Sequence, residues 1–89
     1  MSAPLISVLM PVYNSSATLA ETLASLEIQT LTDFEIVAVD DGSEDDSAEL
    51  LADWQKRDTR LRLVRASHEG LIPALNLGLS HCRGIYVAR

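Results

Sequence analysis

Apolar and polar positions alternate along this chain in blocks, and the blocks read as strand and helix in turn. Leu5-Ile6-Ser7-Val8-Leu9-Met10 is a short, nearly continuous apolar run. Such a run predicts a strand buried on both faces, as in a parallel sheet. Pro11 lacks an N–H for the ladder and marks the expected end of that strand. Ser15 or Ser16 then supplies a helix cap. Leu19, Leu23 and Leu26 recur at i, i+4 and i+7, one apolar stripe of an amphipathic helix fading near Gln29-Thr30. Thr30 to Asp33 reads as a loop, and Phe34 to Val39 as a second buried strand.

Asp40-Asp41-Gly42-Ser43 is a turn. Ser43 with Asp46 three residues on predicts a capping box for a helix from about Glu44 to Lys56. Leu50, Leu51 and Trp54 form the buried side of that helix. Leu61 to Val64 is a shorter strand, and its arginines place it at a sheet edge. A last helix is expected from Pro73, with Leu75, Gly78, Leu79 and Cys82 on one face and Gly84 as its terminator. Ile85 to Ala88 begins a fourth strand.

The order βαβαβαβ with right-handed crossovers predicts a three-layer αβα fold of the α/β class. It is a Rossmann-like parallel sheet of about four strands. In such sheets ligands sit outside the carboxyl ends of the strands. Two segments qualify, Pro11-Val12-Tyr13-Asn14 and Asp40-Asp41-Gly42-Ser43, and neighbouring strands would bring them to one crevice.

Composition narrows the reading. The 89 residues allow one domain, 47% hydrophobic and 22% charged, which is globular rather than disordered. The formal net charge of −6 disfavours nucleic acid and anionic membranes as partners. Asp40, Asp41, Glu44, Asp45 and Asp46 concentrate the acid, while most basic residues lie between Lys56 and Arg65. One cysteine excludes an internal disulfide and suits a cytoplasmic location. No run approaches the roughly 20 apolar residues of a membrane span, and the N-terminus lacks the pattern of a signal peptide.

Tyr13 offers a flat face for a nucleobase, and a neighbouring carboxylate accepts a base N–H. Two carboxylates cannot cradle a pyrophosphate without a metal between them. No GxGxxG follows the first strand and no GxxxxGK[ST] occurs. Ordinary chemistry competes at each position. Asp-Asp-Gly-Ser is a common turn, and Glu44, Asp45 and Asp46 suit a helix N-terminus. Asn14 reads as a turn or cap residue, Cys82 as core. His68 and His81 read as isolated, and His81 with Arg83 as positive charge at a helix C-terminus. No Cys/His spacing points to zinc.

Pro11-Val12-Tyr13-Asn14, Ser25-Leu26, Gln29-Thr30, Glu35-Ile36-Val37, Val39-Asp40-Asp41-Gly42-Ser43, Ala74 to Leu79 and Arg83 to Arg89 together resemble family 2 glycosyltransferases in order and spacing. The resemblance covers nearly the whole chain. It implies the N-terminal half of a GT-A fold and a nucleotide-sugar donor, in particular a UDP-sugar, used in an inverting transfer to an acceptor hydroxyl. It implies that Pro11, Val12 and Tyr13 hold the base, that Asp41 contacts the uracil with Asp40 beside it, and that the Gly70 segment lines the donor site. His68-Glu69 stands where the family often carries Asn. The resemblance also implies a divalent cation, Mn²⁺ or Mg²⁺, whose ligands lie beyond residue 89, as do the catalytic base and acceptor site.

On that reading residues 1–89 are one domain, the truncated nucleotide-binding part of a longer enzyme and inactive alone. An exposed strand edge near Ile85–Ala88 would favour self-association. Other classes share parts of this pattern. A nucleotidyltransferase would carry a Gly-rich, basic loop after the first strand, which Pro11–Ser16 is not. A stand-alone αβ binding domain would use the same crevice without catalysis.

Overall fold

The computed structural model describes residues 4–28 and 33–88. The expected helix end and loop at residues 29–32 lie outside them. Four strands, β1 (Ile6–Val12), β2 (Phe34–Asp41), β3 (Leu61–Ala66) and β4 (Tyr86–Ala88), alternate with α1 (Ser16–Glu27), α2 (Ser47–Arg57) and α3 (Leu71–His81). The sheet order is β3-β2-β1-β4, all parallel. This is the expected αβα architecture, with β3 and β4 at the edges.

All eight residues of β2 are buried, as a central strand requires. Its side chains alternate between two cores. Phe34, Ile36 and Ala38 join Val12, Leu61, Leu19 and Leu23 of α1, and Leu51 of α2. Val37 and Val39 join Leu9 and Ala74 of α3. Helices α1 and α2 therefore cover one face and α3 the other.

Several local expectations shift. β1 runs through Pro11 to Val12, with Pro11 opposite Val39 and Val12 opposite Asp40. At that level β2 is its only neighbour among the described residues, so one side of the strand needs no N–H. α2 begins at Ser47 rather than Glu44, and Asp46 makes no side-chain cap. The capping box fails because the Ser43 hydroxyl accepts the Asn14 N–H instead. α3 begins at Leu71, so Pro73 sits in its first turn, where backbone N–H groups have no partner inside the helix. Its buried residues are Ala74 and Gly78, with Leu75 and Cys82 half-buried, whereas Leu79 is exposed. A side chain at Gly78 would run into Leu9 and Val39, so only glycine lets α3 approach the sheet this closely.

Two buried acids of β2 face α3 and hold the segments at its ends. At the amino end, Glu35 accepts the Ser7 hydroxyl (2.6 Å), the Arg83 N–H (2.7 Å) and the Arg83 guanidinium (3.1 Å). Arg83, expected to serve the helix C-terminus, is thus taken by Glu35. His81 does lie there, 3.0 Å from the Leu77 carbonyl. At the carboxyl end stands Asp41. Six residues of strand span roughly 20 Å, enough to bridge an 11-residue helix of about 16 Å.

Candidate functional site

Because the strands are parallel, the segments after β1, β2 and β3 emerge at one edge of the sheet. The registers Val12↔Asp40 and Asp41↔Ala66 bring Tyr13, Asp41 and the residues after Ala66 side by side. They surround a cleft of about 380 Å³, lined by Pro11, Tyr13, Asp41, His68, Gly70 and Leu71 among others. A larger groove of about 670 Å³ runs between β1 and α1, lined by residues such as Val8, Met10, Thr22 and Leu26. It has no aromatic side chain and neither Asp40 nor Asp41, so the smaller cleft is the better candidate.

Four of the six expected residues therefore meet: Pro11, Tyr13, Asp41 and Gly70. The other two turn away. Val12 is 3% exposed and lies in the core beneath α1 and α2. Asp40, one residue from Asp41 in an extended strand, projects to that same opposite face. Its Oδ2 accepts the Ser43 N–H at 3.4 Å, and its buried Oδ1 has no partner.

Asp41 organises the cleft. Its Oδ1 accepts the Glu69 N–H at 3.1 Å and its Oδ2 the Gly70 N–H at 3.2 Å. The loop between β3 and α3 is thereby tied to β2. The same loop presses on the turn after β2. Gly42 has φ +71, and a Cβ there would lie 2.9 Å from the backbone nitrogen of His68, so glycine is required on both counts. His68 is not isolated, as the sequence suggested. Its imidazole stacks on the Tyr13 ring, centroids 4.2 Å apart and planes 15° apart. Its Nδ1 lies 3.2 Å from the Asp41 carbonyl and 3.5 Å from Asp41 Oδ2. Nothing in the spacing of His68 marks this contact, which depends on the third strand lying beside the second.

The segment after Asp41 is tied to the segment after β1. Asn14, at φ +48, accepts the Glu44 N–H through Oδ1 at 2.8 Å. The Ser15 N–H donates to Ser47 Oγ at 2.9 Å. Asp45 accepts the Ser16 N–H at the start of α1 (3.1 Å) and the Ser47 N–H at the start of α2 (2.9 Å). Hydrogen bonds from Ser47, outweighing partial burial, and from Ser16 hold the Asp45 carboxyl well below the ordinary carboxylate range. One side chain thus joins two helix N-termini, which serves more than the dipole of α2 alone.

Cys82 is half-buried, its Sγ 3.3 Å from the Gly78 carbonyl, and burial pushes its thiol up. This fits the core role and argues against a reactive thiolate. Among the described residues no group of three His, Cys, Asp or Glu side chains is placed to hold a metal ion. Asp40 points to the other face, so of the adjacent pair only Asp41 reaches the cleft. The residues present do not fit a cation.

Comparisons with known proteins agree with this architecture. Residues 7–89 match the family described as Glycosyl transferase family 2. An uncharacterized glycosyltransferase of Bacillus subtilis, EpsJ, is 42% identical over 84 residues, 94% of this chain and 24% of its own length. Chondroitin synthase of Escherichia coli is 34% identical over 86 residues, 97% of this chain and 12% of its own. The structure of S. aureus TarS 1–349 in complex with UDP-GlcNAc is 29% identical with a TM-score of 0.85, covering 93% of this chain and 25% of that one. A mannosyltransferase from Pyrobaculum calidifontis in complex with GDP-Man and Mn²⁺ is 28% identical, TM-score 0.81, over 92% and 25%. The chain therefore spans about a quarter of the length of EpsJ and of both structures.

Proposed function

Since this chain belongs to glycosyl transferase family 2 and has the αβα architecture of its GT-A neighbours, we propose that its cleft holds the nucleotide of a nucleotide-sugar donor, in the first instance a UDP-sugar. One observation carries this reading. An aromatic ring, Tyr13, and a buried carboxylate, Asp41, line the same cleft at the carboxyl edge of a parallel sheet. A uracil stacks through its face and donates N3–H to a carboxylate, and Asp41 has acceptor sites left beyond the two it uses. The Gly70 segment borders the same space and would face the ribose. The structure of TarS with UDP-GlcNAc supports a uridine donor, and that of the mannosyltransferase shows a guanosine donor in a similar frame.

The transfer would be inverting, with an acceptor hydroxyl attacking the anomeric carbon opposite the departing UDP. A divalent cation on the diphosphate would have to be held outside the described residues, and no step here is assigned to one. The 89 residues act as one nucleotide-binding domain, in a cytoplasmic setting, and contribute base and ribose contacts but no catalytic group. No helix among the described residues is long and apolar enough to cross a membrane.

Titration of the isotope-labelled chain with UDP tests the site. Backbone signals of Tyr13, Asp41 and Gly70 should move first. Tyr13→Ala should weaken binding about tenfold, from the loss of one base–aromatic stack. Shifts confined to the groove along α1 would refute the assignment, and turnover of a UDP-sugar by this chain alone would refute the division of labour.

A further inference from the structure

In this structure the cleft is partly filled by the protein itself. His68 places a flat ring on the Tyr13 face at 4.2 Å. It also brings a ring nitrogen within 3.2 Å of the Asp41 carbonyl and 3.5 Å of the Asp41 carboxylate. The carbonyl contact requires the Nδ1–H form, because a carbonyl only accepts. The stacked face is the contact assigned above to uracil, and the ring N–H, given to the Asp41 carbonyl, lies beside the carboxylate assigned to the uracil N3–H. We infer that the His68 imidazole is an intramolecular stand-in for the nucleobase, occupying its seat in the free protein and leaving when a nucleotide binds.

Geometry leaves little alternative for a base that needs both contacts. Two stacking gaps of about 3.5 Å each would require the rings to stand roughly 7 Å apart for a base to enter between them. The imidazole covers the face of Tyr13 that lies beside Asp41, because His68 touches both residues. A base that stacks on Tyr13 and donates to Asp41 must therefore take the imidazole's place.

The side chain is built to move while its backbone stays. The His68 side chain is 57% exposed, so little packing resists its rotation. Its backbone, at φ +40, presses on Gly42, and the next two residues donate to the Asp41 carboxylate. Rotation about χ1 would clear the Tyr13 face without disturbing the loop that shapes the cleft. The physical consequence is twofold. Apparent affinity falls by the fraction of molecules whose seat is open. Ligands that stack but offer no N–H toward Asp41 replace only half of what the imidazole gives up, which favours uracil over cytosine, whose N3 is an acceptor.

This inference rests on the cleft being the nucleobase site, so the experiment separates the two. The ring protons of His68 should be shifted upfield in the free chain by the Tyr13 ring current, and UDP at saturation should abolish that shift. Asparagine tolerates positive φ, so His68→Asn removes the ring and keeps the backbone. It should raise UDP affinity roughly three- to tenfold, the worth of one aromatic pair. A ring-current shift that persists at UDP saturation, while Tyr13 and Asp41 signals respond, overturns the stand-in and leaves the nucleobase site intact. Weaker UDP binding by His68→Asn does the same and makes the histidine part of the clamp. Absence of any UDP response at Tyr13, in both the wild type and His68→Asn, overturns both. The wild-type ring-current measurement decides the matter even if the variant folds poorly.

Discussion

Glu35 and Asp41 do comparable work in different surroundings. Each is a nearly buried carboxylate of β2 that accepts backbone N–H from a loop flanking α3. For Glu35, burial pushes the carboxyl up. The hydrogen bonds from Ser7 and Arg83, with the Arg83 charge, outweigh it and hold the group below its ordinary range. A carboxyl lowered on folding stabilises the native state in full above its unfolded pKa, about 4.3 for Glu. That contribution is lost as pH falls from there through the lower folded value. Glu35→Ala leaves the Ser7 hydroxyl and the Arg83 N–H without their acceptor. It should cost about 2–3 kcal/mol at pH 7 by urea denaturation, with the gap to wild type shrinking below about pH 4. A pH-independent difference would show that the carboxylate charge is not what matters. Asp45 follows the same sign, its contribution also fading in acid as the Ser16 and Ser47 N–H groups lose a charged acceptor.

At the level of elements, the helices are placed by contacts that local sequence does not display. α1 and α2 are joined at their starts through Asp45 and Ser47. This explains why α2 begins later than its capping signal suggested, since Ser43 is recruited by Asn14 across 29 positions of sequence. α3 meets the sheet through Ala74 and Gly78. Gly78→Ala should destabilise the chain by about 1–3 kcal/mol despite alanine's better helix propensity, because Leu9 and Val39 must yield to the new methyl. Equal or higher stability in a thermal melt would mean that α3 slides at little cost. The stripes Leu19-Leu23 and Leu51 were legible as the buried side, because a 3.6-residue period is a property of the chain itself. Leu79 was misplaced, because the narrow Ala74–Gly78 contact leaves the flank of α3 in solvent.

Over the whole molecule the sheet's two edges differ. β3 carries charge at its edge, Arg62 pairing with Glu35 and donating to the His81 carbonyl. β4 is short and apolar, with Tyr86 and Val87 at 64% and 46% exposure, Ile85 just before it at 74%, and no outer neighbour among the described residues. Such an edge favours pairing with a second copy. The chain is expected to associate with rising concentration, and Val87→Lys to weaken that association. Light scattering that finds only monomer at millimolar concentration would remove the idea. The net charge of −6 opposes self-association, so added salt should promote it.

Periodicity and punctuation along the chain were enough to establish the βαβαβαβ order, the parallel sheet and the edge at which the segments Pro11–Asn14 and Asp40–Ser43 would gather, because each follows from local geometry and the handedness of crossovers; Gly70 came from the family resemblance. The family resemblance favoured Asp41 of the two adjacent aspartates, and tertiary structure supplies the reason, since a strand sends neighbours to opposite faces and packing says which face holds the cleft. Tertiary structure alone set His68 against Tyr13 and Glu35 against Arg83, because those pairs join residues 55 and 48 positions apart through a sheet that exists only once the chain has folded.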